Sequence, residues 1–154
     1  MLNPRRSEKG FTLVELLIVV IILGILAAVV IPQFNTAAAE SKEAALASNL
    51  ATIRQAVELY KVQHNDSFPT AAIVNELTKA TDPDGTINAA GKYGPYIRNS
   101  FPVDPINSSA AVKTAATMPA SVSGAEGWVY ATGNGEFRSN AAGTGPSGTA
   151  YFSL

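Results

Sequence analysis

From Phe11 to Ile31 the chain passes through 21 positions that are apolar or small except for Thr12 and Glu15. At about 1.5 Å per residue this predicts a helix of roughly 31 Å, enough to cross a bilayer core of ~30 Å. No charged residue follows Glu15 until Glu40. The pattern then changes. Leu46, Leu50, Ile53, Val57 and Tyr60 are spaced by 4, 3, 4 and 3, while Glu40, Lys42, Glu43, Arg54, Glu58 and Lys61 avoid that stripe. Alanines at 37–39, 44, 45, 47, 51 and 56 favour helix throughout. The spacing predicts one helix from about Phe11 to His64, stopped by Asn65-Asp66 and Phe68-Pro69. Pro32 lacks an N–H and crowds the preceding turn, so a kink or local unwinding is expected there. Gly24 is a second soft point.

The two halves of this helix predict two surroundings. Residues 11–31 are apolar all round, which suits lipid and then the core of a bundle. Residues 32–64 carry one stripe, which suits packing against a globular head. A two-chain coiled coil would need three or four heptads, and about two are present.

Beyond His64 the texture shifts. Residues 70–81 read as a short helix with Ile73, Val74 and Leu77 inward, and Asp82-Pro83-Asp84-Gly85 reads as a turn. Ten of the twelve glycines and six of the nine prolines lie from Asp82 onward, so loops and short strands are expected rather than long helices. Tyr96-Ile97 and Ala111-Val112-Lys113 are weak strand signals. The strongest is 127–132, joined through Gly133-Asn134-Gly135 to 136–139 as a β-hairpin. Trp128 and Tyr130 would share a face, with Phe137 opposite. Residues 140–149 read as a loop. The expected fold is α+β: a long N-terminal helix, kinked near Pro32, packed against a small antiparallel sheet in a head spanning 65–154. A head this small has a modest core, and the helix stripe must supply one wall of it.

Charge and composition narrow the partners. There is no cysteine, so no disulfide staples the chain. Without the first ten residues, which carry Arg5, Arg6, Lys9 and Glu8, the 11 basic and 12 acidic side chains fall to 8 and 11, a net of −3. The remaining basic residues are scattered, so no nucleic-acid partner is predicted. The cations before the apolar run place the N-terminus in the cytoplasm and the rest of the chain outside. An ordinary secretory signal peptide would use Ala37-Ala38-Ala39 as its cleavage site, but the apolar run is long and contains an acid. A plain membrane anchor leaves Glu15 unexplained, because a carboxylate at the lip of such a helix costs on the order of 1–3 kcal/mol. Glu15 can also snorkel to the head-group region.

The stretch from Lys9-Gly10-Phe11-Thr12-Leu13-Val14-Glu15 to Ala28, with Pro32 beyond it, resembles the N-terminal motif of the type IV pilin-like superfamily; the likeness covers roughly residues 9–60. The resemblance implies a leader of residues 1–10, cut by a prepilin peptidase between Gly10 and Phe11. It implies that the same enzyme methylates the new amino group of Phe11. It implies residence in the inner membrane, surrounded by lipid, and then transfer by an inner-membrane assembly platform into a helical filament of copies. A singly methylated amine stays cationic, so Glu15 of a neighbouring subunit is its natural counter-charge. A desolvated pair is tolerable where a lone member is expensive.

No enzyme constellation stands out. His64 is the only histidine and sits at the expected helix end, where a solvated side chain is ordinary. No cofactor is expected. Asp82, Asp84 and Asp104 are candidate calcium oxygens, but the turn reading of residues 82–85 is favoured. The loop by which type II secretion pseudopilins hold calcium has no recognisable counterpart, so no ligand is carried over. Asn65-Asp66-Ser67 and Asn107-Ser108-Ser109 match the glycosylation pattern weakly. The cysteine-free head, which cannot form the disulfide loop of major pilins, favours a type II secretion pseudopilin. The alternatives are a type IV pilus subunit for adhesion, motility or DNA uptake, and a membrane-anchored periplasmic binding module.

Overall fold

A computed structural model describes residues 10–154; the basic leader residues Arg5, Arg6 and Lys9 lie outside the described residues. The chain divides between Ala38 and Ala39 into two units. Helix α1, Leu13–Gln63, belongs to both.

In the first unit the helical pattern runs unbroken through Gly24 and Pro32, so the helix does not unwind there. One turn on from the proline, the Thr36 hydroxyl donates to the Pro32 carbonyl at 3.2 Å. Every large apolar side chain from Leu13 to Phe34 is exposed within the chain.

The second unit, residues 39–154, is built on the other half of α1. Leu46, Leu50, Ile53, Val57 and Tyr60 are all buried, together with Ala56. Against this stripe pack Ile73 and Leu77 of α2 (Ile73–Thr78), then Ile97, Phe101, Trp128, Tyr130 and Phe137. The helix stops as the sequence predicts. Asn65 and Asp66 take left-handed conformations, with φ 55° and 61°, which short polar side chains tolerate. The Asp66 N–H then closes onto the Lys61 carbonyl at 3.0 Å.

The sheet has three strands in the order β1 (Val112–Ala115), β2 (Trp128–Ala131), β3 (Phe137–Ser139). The expected hairpin is β2–β3, with Tyr130 directly opposite Phe137. Gly135 provides its left-handed residue, at φ 74°, and a Cβ there would overlap the Phe68 ring. The sheet is mixed rather than wholly antiparallel, because β1 pairs parallel to β2, Val112 opposite Trp128. Residues 116–127 carry the chain back so that both strands run the same way, and a parallel pair needs a connection of that length. Tyr96 and Ile97 are not a strand. Their N–H groups both donate to the Leu77 carbonyl at 2.9 Å, closing the end of α2.

β2 is buried along its whole length. Its polar ends are satisfied: Trp128 Nε1 donates to the Pro102 carbonyl at 2.8 Å, and the Tyr130 hydroxyl donates to the Pro69 carbonyl at 2.9 Å. Arg54 on α1 donates through Nε and Nη2 to the Phe137 carbonyl and through Nη2 to the Leu154 carbonyl, at 2.7–3.0 Å. One helix side chain thus ties together β3 and the last residue of the chain.

Candidate processing and assembly site

Gly10, Phe11, Thr12 and Glu15 occupy the start of α1, all exposed. An ideal Cβ at Gly10 meets nothing within 4 Å, and its φ lies outside the left-handed region. The fold therefore makes no demand for glycine at this position. Phe11 is 82% exposed, although it is the bulkiest side chain of the segment.

Thr12 is the residue before the first helical position, and Glu15 is the third helical residue. The Glu15 carboxylate accepts from the Thr12 N–H and from the Thr12 hydroxyl, both at 2.8 Å. The Thr12 hydroxyl oxygen in turn accepts from the Glu15 N–H at 3.2 Å. This is a reciprocal capping box, in which two N–H groups that a helix start leaves unpaired satisfy each other's residues. The carboxylate also complements the positive end of the helix dipole. Sequence reasoning singled out Glu15 and passed over Thr12. The Thr-x-x-Glu spacing immediately before an apolar run is the signal that identifies it.

Gly24 and Pro32 lie inside α1, away from this cluster in sequence. α1 is long and apolar enough in its first half to cross a membrane.

The other sequence candidates fall in the second unit and are kept apart by their local bonds. Asp82 accepts from Asn88 Nδ2 at 2.8 Å, and Asp84 accepts from the Thr86 N–H at 3.0 Å. Gly85 N–H closes the predicted 82–85 turn onto the Asp82 carbonyl at 2.9 Å. Asp104 is fully buried and accepts from the Ile106 N–H at 2.7 Å and the Ser139 hydroxyl at 2.6 Å. Among the described residues no three carboxylate or imidazole groups converge on one point. The side-chain amide of Asn107 is engaged by the Glu126 carbonyl at 2.9 Å.

His64 departs from expectation. It is buried rather than solvated. Its ring stacks on Tyr60 with centroids 3.8 Å apart and planes 11° from parallel. Nδ1 lies 2.8 Å from the Tyr60 carbonyl, which can only accept, so Nδ1 carries a proton. Nε2 lies 3.0 Å from the Thr81 hydroxyl. Both nitrogens are committed to structure, which leaves none for proton transfer to a substrate.

Residues 5–31 match the family described as the prokaryotic N-terminal methylation motif. Among curated proteins the chain is similar to the type II secretion system core protein G of Aeromonas hydrophila, 32% identical over 66% of this chain and 69% of that one. It is likewise similar to the protein of the same description from Pseudomonas aeruginosa, 35% identical over 66% of this chain and 70% of that one. The type IV major fimbrial protein FimA of Dichelobacter nodosus is 49% identical over 51 residues, a third of each chain. No solved structure matches. The stronger likeness is short, while the longer one, at 106 residues, extends past the helix into the head. The chain belongs to the type II secretion system core protein G family, within the proteins that carry the prokaryotic N-terminal methylation motif.

Proposed function

We propose that this chain is a non-enzymatic structural subunit of a type IV pilin-like filament, serving as a pseudopilin in a type II protein secretion machine. It is made as a prepilin, cut between Gly10 and Phe11 on the cytoplasmic face and methylated on Phe11. Residues 11–31 hold it in the inner membrane with the head in the periplasm. An assembly platform then draws it into a filament of copies. The observation that carries this reading is the helix start itself. A glycine that the fold does not require precedes a capped carboxylate in a helix otherwise uncharged as far as Glu40. Such a glycine suits a requirement imposed from outside the chain, and a peptidase that must approach the backbone closely imposes that requirement.

Likeness over two thirds of the chain, head included, supports the secretion machine. The likeness to a fimbrial protein over 51 residues supports a surface pilus as the second reading.

Intact-mass and N-terminal analysis is the first test. A mature chain that starts at methylated Phe11 is expected, and one that starts at Glu40 overturns the reading. Glu15→Ala is expected to abolish filaments while the protein stays in the membrane. Deletion that stops protein export and spares surface fibres identifies the secretion machine; the reverse outcome identifies a pilus.

A further inference from the structure

On the head, where α1 ends, a cavity of about 460 Å³ is lined by the end of α1, the segment leading into α2, α2 itself and the 82–85 turn. Glu76 lines it and is 4% exposed. Its carboxylate accepts from the Thr70 N–H at 2.7 Å and the Thr70 hydroxyl at 2.8 Å. Among the described residues no Lys or Arg pairs with it, and the one ion pair is Arg138–Glu136. Asp84 adds a second carboxylate to the lining. A buried carboxylate is ordinarily matched by a cation, and here the chain supplies none.

Tyr60 gives an independent indication. The residue is 2% exposed, and its hydroxyl, which bonds no other described residue, keeps its small exposure to solvent. That hydroxyl is aimed into the cavity: a Cβ built on Gly85, on the facing turn, would lie 2.8 Å from it. Glycine, at φ 86°, keeps that space open. His64 lines the same cavity, but both its nitrogens are used. Lys61 lies over the Phe68 ring, its Nζ 4.5 Å from the centroid, and pairs with neither carboxylate.

We propose that this cavity binds one cationic hydrogen-bond donor, an alkylammonium or guanidinium group, with the Tyr60 hydroxyl and the Glu76 and Asp84 carboxylates as its acceptors. The group can belong to a free amine or to a basic side chain of a neighbouring copy of this chain.

The test uses the full chain in detergent micelles, following the amide NMR signals of Thr70, Gly85 and Thr86. Butylammonium and guanidinium should give saturable shifts; butanol and acetate should not. Tyr60→Phe and Asp84→Asn should each weaken binding about tenfold, the loss expected for one hydrogen bond to a charged group. Unchanged signals elsewhere would show that both variants are folded. No saturable shift, equal shifts with butanol, or unchanged affinity in both variants overturns the proposal.

Carbodiimide coupling on assembled filaments separates the two sources. It joins a carboxylate to a lysine amine as an amide while the reagent takes up the water. An intersubunit cross-link lost in Asp84→Asn identifies the neighbouring copy. Formation of the Asp84 butylamide when butylamine is present, with no such cross-link when it is absent, identifies a free amine. Only this second arm rests on the filament reading; binding in micelles stands or falls without it.

Discussion

The two halves of α1 share one backbone pattern and differ in what completes them. From Leu16 to Ile31 the side chains are apolar or small on every side and exposed on every side. From Leu46 to Tyr60 the apolar residues form one stripe, and all of it is buried by the chain's own α2 and sheet. A soluble protein rarely leaves a continuous apolar surface uncovered. The first half is therefore a helix whose solvent lies outside the chain, and the second is a helix whose solvent is the head. The same residue types thus carry stability in one half and location in the other.

The largest expected effect tests this division directly. Leu50→Ala should destabilise the head by ~2–5 kcal/mol, because it empties a fully buried site. Val20→Ala should leave the head unchanged. Urea unfolding followed by the fluorescence of Trp128 in detergent measures both, and equal losses would erase the distinction. Next comes Arg54→Ala, which strips hydrogen bonds from two carbonyls and should cost about 2 kcal/mol in the same assay. Thr12→Ala should cost about 1 kcal/mol, confined to the start of α1. Faster hydrogen exchange at Val14, Glu15 and Leu16, with no shift in urea midpoint, is the expected signature.

The subtlest effect comes from pH. Burial pushes the Tyr60 phenol up to about 12, with the nearby Glu76 acting in the same direction, and burial raises Tyr130 as well. Below pH ~10 both folded and unfolded phenols keep their protons, so this contribution is flat. As pH rises from ~10 to about 12, the unfolded phenols ionise first and the head loses stability. Ultraviolet absorbance should show Tyr60 and Tyr130 ionising above the ordinary phenol range, and Tyr130→Phe should make the alkaline decline shallower.

Much of this was legible in the sequence. The stripe from Leu46 to Tyr60 could be read because helical spacing is a local property, and every member is buried as its spacing predicts. The β2–β3 hairpin could be read because Gly133-Asn134-Gly135 marks a tight turn between two strands whose aromatic residues face each other. The parallel partner β1 could not be read, since its orientation depends on the path of residues 116–127, which carry no periodicity. The burial of His64 depends on Thr81 and Tyr93, brought over it by a reversal at Asn65 and Asp66. A lone histidine at a helix end gives no hint of that cover. At the functional end, Glu15 stood out as the one charge in an apolar run. Thr12, an unremarkable residue by composition, needed the spacing rule to be seen.

The cap on Glu15 changes the arithmetic of recruitment. On the proposed assembly, a subunit waiting in the membrane does not hold a bare carboxylate, because its own Thr12 occupies that group with two donors. Docking beside another subunit's charged amine then becomes a swap of donors around one acceptor. A swap starts from a satisfied state and ends in one, so its driving force is the difference between two sets of hydrogen bonds. Such a device lets a subunit wait with its carboxylate satisfied and makes recruitment depend on which set of donors serves that carboxylate better.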